Sequence, residues 1–100
     1  MGMVYKVIVK SLAEQDITEA IEWYAEHTLQ LAEELTESIE DCLTSIEEHP
    51  LQYQKRYGEA RVAFTRKFPY DIYYTIEEQT IFIHAVLHSK RNPKTSIDRL

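Results

Sequence analysis

The sequence has little of several residues on which common functional sites depend. Its 100 residues include one cysteine, Cys42, and two glycines, Gly2 and Gly58. A single cysteine excludes an internal disulfide framework and is typical of a reducing compartment. Two distant glycines cannot form a phosphate-binding loop, and neither HExxH nor G-x-S-x-G occurs in the chain. The enzyme classes that carry these motifs are therefore excluded.

Long apolar runs are also missing. None approaches the roughly 18 residues that a membrane-spanning helix needs, and the start, MGMVYKVIVK, lacks the apolar core of a signal peptide. Zinc needs three or four convergent ligands. The histidines are too scattered to suggest such a site, and they are His27, His49, His84 and His88. The sequence therefore predicts one cytoplasmic domain over residues 1–100, without a membrane partner, a cofactor or a metal.

Charge is distributed unevenly along the chain. Residues 1–50 contain 12 acidic and 2 basic residues, whereas residues 51–100 contain 5 acidic and 9 basic ones. The formal net charge of −6 is therefore the sum of an acidic first half and a basic second half. The basic half would attract a polyanionic target that the acidic half repels. Equally, the two halves could complement each other within the fold. The acidic pI of about 5.1 argues against duplex DNA binding by the whole surface.

The first part of the chain predicts a strand and a helix. β-Branched residues favour a strand over Val4–Val9, and Ser11 with Glu14 fits a capping box at the helix start. Apolar residues at helical spacing then predict a buried stripe, with Trp23 beside it packing the helix onto a sheet. The stripe comprises Ala13, Ile17, Ala20, Ile21, Tyr24 and Ala25. The acidic residues predicted to face water are Glu14, Asp16, Glu19, Glu22 and Glu26.

A second helix is predicted between Thr28 and Pro50. The Thr28 hydroxyl can cap its start, and the residue before a proline disfavours helical geometry. Its apolar stripe comprises Leu31, Leu35, Ile39, Cys42, Leu43 and Ile46. Cys42 is therefore interpreted as a small core residue rather than a nucleophile. The short link between the helices predicts an antiparallel hairpin, with one face of each helix against the sheet.

The second half predicts a loop and three strands. The loop covers Leu51–Gly58, and segments rich in β-branched and aromatic residues follow at Arg61–Arg66, Tyr70–Ile76 and Thr80–Leu87. The order of strand, helix, helix and three strands predicts an α+β domain with a helical layer on one sheet face. Residues 89–100 form a polar, basic tail without periodicity.

Alternation along the last strand divides its side chains between the two sheet faces. Those predicted to face the helices are Ile81, Ile83, Ala85 and Leu87. Those predicted on the opposite face are Phe82, His84, Val86 and His88, with Asp71, Tyr73 and Thr75 exposed beside them. A face with Arg, Lys, His and Tyr could hold RNA, be simply solvated, or seat a partner peptide.

Three segments occur in a characteristic order: IEWY at Ile21–Tyr24, KFPYDIYY at Lys67–Tyr74 and AVLHSKRNP at Ala85–Pro93. Together with the element order, they resemble the RelE/ParE superfamily of bacterial type II toxin–antitoxin systems, which includes plasmid-stabilisation proteins. The resemblance runs from about Val4 to Pro93. It implies a β-α-α-β-β-β fold, with a helical hairpin on a small, mostly antiparallel sheet. It also implies a cognate antitoxin that binds and neutralises the toxin, and no cofactor.

The segments look more like the ParE branch, whose members arrest growth by inhibiting DNA gyrase. FPY is followed by an aliphatic–aromatic strand, and VLH by a basic turn that ends in proline. On this expectation, the residues that contact the target or the antitoxin are Trp23, Arg66, Lys90 and Arg91. A homodimer is also left open.

The RelE branch implies a different activity, cleavage of mRNA on the ribosome without a metal. The resemblance to that branch would make Arg61, Lys67 and His88 the catalytic residues. However, Ser89 follows His88 where nuclease members often carry an aromatic residue near the chain end, and no tyrosine follows Tyr74. The third alternative is a family member that only binds its antitoxin.

Overall fold

Two helices pack on one face of a five-stranded sheet in the computed structural model, which describes residues 4–90, 94 and 98–100. In chain order the elements are β1 Lys6–Val9, α1 Ser11–Ala25, α2 Leu29–Glu48, a 3₁₀ turn Pro50–Gln52, β2 Lys55–Tyr57, β3 Ala60–Phe64, β4 Tyr70–Glu77 and β5 Thr80–His88. The sheet order is β1-β5-β4-β3-β2; β1 is parallel to β5, and the other neighbours are antiparallel. The predicted α+β fold is confirmed. Neither helix in the described part is long and apolar enough to cross a membrane.

Strand β2 lies in the segment that the sequence predicts as a loop. It is three residues long, and it pairs with β3 through Lys55 with Arg61 and Tyr57 with Ala60, with an irregular register between them. Such a short strand cannot show an alternating apolar pattern, so only the pairing with β3 reveals it.

The start of α2 agrees with the prediction, whereas the start of α1 does not. The Thr28 hydroxyl accepts the Leu31 N–H at 3.0 Å, and α2 ends before Pro50. In α1, Ser11 is already helical, and no side chain caps the helix. The residue before it, Lys10, donates its N–H to the Ile83 carbonyl at 3.0 Å. Lys10 is therefore the N-cap, whereas a capping box would require Ser11 at that position.

The helix faces follow the predicted stripes with three corrections. Ala25 and Leu31 are exposed, and Ala32 occupies the buried position expected of Leu31. Asp16 is buried rather than solvated, with only 8% of its surface exposed. The core between the helices and the sheet is formed chiefly by Ala13, Ala20, Leu35, Ile39, Cys42, Ile46, Ala63, Ile72, Tyr74, Ile81, Ile83 and Val86.

A bulge in β5 reverses the predicted alternation. Tyr73 of β4 pairs with Ala85, and the next residue, Tyr74, pairs with Ile83, so His84 is the extra residue. The predicted faces are correct for Ile81 and Ile83. Beyond the bulge they are wrong: Val86 packs with the helices, whereas the cluster on the opposite face comprises Val62, Tyr73, Ala85 and Leu87, with Tyr57 against it.

The sheet face away from the helices is consequently more buried than predicted. Asp71 and Tyr73 are 9% and 5% exposed, whereas Thr75 beside them is partly accessible. Burial raises the pKa of the Asp71 carboxyl, although Arg56 and His88 partly oppose that effect.

Replacing Thr28 by Ala should lower the free energy of unfolding by about 1 kcal/mol, because the Leu31 N–H then loses its acceptor. Thr28→Ser keeps the hydroxyl and should retain most of that stability. Urea denaturation of the three proteins measures the difference. Equal stability of the Ala and Ser variants would show that the cap contributes nothing.

Candidate functional site

At one end of the sheet, the central strands extend beyond both edge strands. β1 pairs with β5 over Thr80–Ile83, whereas β5 continues to His88. β2 pairs with β3 at Ala60 and Arg61, whereas β3 continues to Phe64. Each overhang leaves a strand edge beside a helix, and a groove forms there. We name them the α1 groove, between α1 and β5, and the α2 groove, between α2 and β3.

The α2 groove has a cavity volume of about 520 Å³ and walls of opposite charge. Its lining residues are Glu34, Glu37, Ser38, Asp41, Cys42, Ser45, Tyr53, Phe64, Arg66 and Lys67. The carboxylates belong to α2, whereas Arg66 and Lys67 belong to the turn between β3 and β4. A groove with both signs of charge favours a polypeptide that carries complementary charges.

The turn that carries Arg66 and Lys67 has a strained backbone. Lys67 has a φ of 72°, in the left-handed region that costs a non-glycine residue about 1–2 kcal/mol. The Ser38 hydroxyl donates to the Arg66 carbonyl at 2.5 Å, and the Thr65 hydroxyl donates to the Phe68 carbonyl at 2.7 Å. These bonds hold the backbone of the turn beside the groove that Lys67 lines.

Cys42 lies in the α2 groove but is not a reactive thiol. Its surface is 7% exposed, and its Sγ lies 3.8 Å from the Phe64 carbonyl oxygen. Burial raises the pKa of the thiol to about 11, so it stays protonated at neutral pH. The predicted core position of Cys42 is confirmed.

The α1 groove is smaller, about 400 Å³, and richer in aromatic side chains. Its lining residues are Asp16, Glu19, Ala20, Trp23, Tyr24, Tyr70, Val86, Leu87 and His88. Trp23 is 55% exposed, so the prediction that it packs α1 onto the sheet is wrong. Tyr24 makes that contact instead: its ring lies 6.5 Å from that of Tyr70, the first residue of β4, and 5.2 Å from that of Phe68 in the preceding turn, measured between centroids. The exposed indole is thereby available to a partner.

Asp16 closes the edge of β5 where β1 has ended. Its Oδ2 accepts the Val86 N–H at 3.0 Å, and Arg99 donates to both carboxylate oxygens, at 2.5 and 3.2 Å. Sequence analysis missed this role, although the spacing carried a signal. Asp16 stands three residues after Ala13 and four before Ala20, which places it on the buried stripe.

The three residues predicted as catalytic in mRNA cleavage lie in different places. The Arg61 guanidinium donates to the carbonyls of Tyr53 and Leu51, at 2.5 and 3.4 Å. Lys67 lines the α2 groove and His88 the α1 groove. The three side chains therefore do not line one common groove: Lys67 and His88 line different grooves, and Arg61 lines neither of them. Within the described residues, no group of three His, Cys, Asp or Glu side chains could hold a metal ion.

Lys90 lies just beyond β5 and is exposed, and the chain is fixed where it leaves the sheet. The Ser89 N–H and hydroxyl both donate to the Pro69 carbonyl at 2.8 Å, and the Lys90 N–H donates to His88 Nδ1 at 3.1 Å. Arg91, the other basic residue predicted to make contacts here, lies outside the described residues.

Comparisons with known proteins agree with this architecture. The family model described as "ParE toxin of type II toxin-antitoxin system, parDE" matches residues 7–93. A chain of the solved structure "Chromosomal ParDE TA system from P. aeruginosa" is similar in fold, with a TM-score of 0.77 and 11% sequence identity. That match covers 87% of this chain and 98% of the other. No curated protein matches the sequence significantly.

The fold is therefore that of the RelE/ParE superfamily, as the three sequence segments predict. Within that superfamily, the chain belongs to the ParE toxin family of type II toxin–antitoxin systems. Membership in such a family implies an antitoxin partner.

Replacing Lys67 by Gly should make the protein more stable than replacing it by Ala, by about 1 kcal/mol. Both variants remove the charged side chain, but only glycine adopts a φ of 72° without steric cost. Thermal and urea unfolding of the pair measure the strain directly. If Lys67→Gly and Lys67→Ala have the same free energy of unfolding, the turn is not strained.

The free energy of unfolding should fall between pH 9 and pH 11. In that range the unfolded thiol of Cys42 ionises, whereas the buried thiol, with a pKa of about 11, still binds its proton. A shift of this size corresponds to about 2–3 kcal/mol. Cys42→Ala should show a flatter pH profile by about that amount. The pKa of Tyr74 is raised chiefly by burial, which is common to both proteins, and Cys42 makes only the smallest contribution to that shift. If stability falls equally with pH in the wild-type protein and in Cys42→Ala, the loss of stability does not come from Cys42.

Proposed function

We propose that this toxin arrests growth in the cytoplasm by binding DNA gyrase, and that its antitoxin prevents this binding. Membership in the ParE family is the observation that carries the proposal. The separation of Arg61, Lys67 and His88 supports it, because a nuclease requires converging catalytic groups. An inhibitor that acts by contact requires only a complementary surface.

The contact surface we propose combines the two basic turns with the exposed indole. Arg66 lies in the turn that borders the α2 groove, and Lys90 and Arg91 follow β5. Trp23 borders the α1 groove and is more than half exposed. Trp and Arg are the residue types most often found to dominate binding energy at protein interfaces. Of these residues, Trp23, Arg66 and Lys90 lie at the sheet end at which the edge strands are absent.

The double substitution Lys90→Ala with Arg91→Ala should relieve growth arrest and raise at least tenfold the concentration needed to inhibit gyrase supercoiling. Loss of two interface cations removes charge pairs whose combined contribution exceeds about 1.4 kcal/mol. Lys55→Ala is the matched control, because Lys55 is an exposed cation in β2 that pairs with Glu59 at 2.6 Å. If the double variant arrests growth as strongly as the wild-type protein, Lys90 and Arg91 do not belong to the contact surface.

Pulse-labelling after induced expression tests the target itself. If DNA synthesis stops before protein synthesis and purified gyrase is inhibited, the proposal stands. If protein synthesis stops first and mRNA is cut within codons, the chain is instead a ribosome-dependent nuclease. If neither stops, it only binds its antitoxin. Sedimentation of the purified protein determines whether a homodimer forms.

A further inference from the structure

The exposed indole of Trp23 is in contact with two other rings. Trp23 borders the α1 groove and is 55% exposed. Its ring meets that of Tyr24 edge-on, with centroids 4.9 Å apart, and Tyr24 in turn contacts Phe68. The His27 ring, one turn further along the chain, lies 4.4 Å from the indole at an angle of 37°. Two neighbouring rings thus restrict the rotamers that this exposed indole can adopt.

His27 is itself fixed at the end of α1. Its Nδ1 lies 3.0 Å from the Trp23 carbonyl oxygen, and since a carbonyl oxygen can only accept, Nδ1 carries the hydrogen and donates it. The N–H groups of His27 and Thr28 both donate to the Tyr24 carbonyl, at 3.0 and 2.9 Å. These bonds satisfy two of the carbonyls that a helix end leaves without partners. The bond from Nδ1 also fixes the imidazole beside the indole.

We propose that His27 is a positioning residue for target binding: its ring holds the exposed indole of Trp23 in the orientation that the target contacts. This inference rests on the proposed function, in which Trp23 belongs to the contact surface. Immobilising a side chain on binding costs free energy, and an indole that is already held avoids part of that cost. Loss of the His27 ring should therefore weaken binding about fivefold, which corresponds to the cost of immobilising one side chain.

Two substitutions separate the ring contact from the hydrogen bond. His27→Phe keeps a ring beside the indole but has no donor for the Trp23 carbonyl, whereas His27→Asn keeps a donor at the position of Nδ1 but has no ring. If His27 only caps the helix, His27→Asn behaves like the wild-type protein and His27→Phe is the less stable variant. If His27 positions the indole, His27→Phe retains inhibition and His27→Asn loses it. The matched control is His49→Asn, because His49 is an exposed histidine at the end of α2 without a ring contact among the described residues.

The experiment measures gyrase supercoiling inhibition by the full-length variants at equal concentrations of folded protein. It also measures the time-resolved fluorescence anisotropy of Trp23, the only tryptophan in the chain. For His27→Asn we expect about fivefold weaker inhibition and faster local motion of the indole. For His27→Phe and His49→Asn we expect the inhibition and anisotropy of the wild-type protein. In a Trp23→Ala background, His27→Asn should cause no further loss of inhibition, because His27 acts through the indole.

Wild-type inhibition by His27→Asn, or equal losses in His27→Asn and His27→Phe, would overturn the inference. A loss that persists in the Trp23→Ala background would also overturn it, since His27 would then contact the target directly. Full inhibition by Trp23→Ala would remove the indole from the contact surface, and the inference with it, while gyrase remains the target.

If the wild-type protein does not inhibit gyrase, the proposed target is wrong, and growth arrest by the same variants then decides the role of His27. Weakened arrest by His27→Asn with full arrest by His27→Phe would uphold the inference for another target. Full arrest by His27→Asn, or equally weakened arrest by both variants, would overturn it.

Discussion

Backbone hydrogen-bonding groups at the ends of β3 and β5 lie beyond the edge strands, and much of the structure depends on how they are covered. An uncovered strand edge attracts further strands. On the β5 side, Asp16 accepts the Val86 N–H and Arg99 approaches the His84 carbonyl. On the β3 side, the helix α2 stands against the edge, with the Cys42 thiol near the Phe64 carbonyl. The first edge is thus closed by strong polar groups and the second by a weak one.

The same end of the sheet collects the features that suit binding rather than chemistry. Both grooves, the strained turn at Lys67 and the exposed indole of Trp23 belong to it. Further along the sheet, a buried hydrogen bond runs from the Tyr74 hydroxyl to the Pro50 carbonyl at 2.5 Å.

The structure assigns the uneven charge of the chain to particular parts of the fold. Between Lys10 and Lys55 there is no basic residue, so the helical layer is acidic throughout. Arg99, from the far end of the chain, neutralises the one carboxylate of that layer that is buried, while the other helix carboxylates stay solvated. The interpretation that the two halves complement each other within the fold therefore applies to this pair, whereas attraction of a partner by the remaining basic residues stays a prediction.

The sequence by itself determined both helices and the approximate positions of four of the five strands, β1, β3, β4 and β5. Apolar periodicity, residue type and the Thr28 cap are local signals, so they can be read without the fold. It also determined the family, through segments at 21–24, 67–74 and 85–93. Only the tertiary structure decided the remainder. The bulge at His84 exists because β4 and β5 pair out of register, and β2 exists because β3 lies beside it. Asp16 is buried because Arg99, 83 residues away, neutralises it, and no local pattern encodes so distant a pairing.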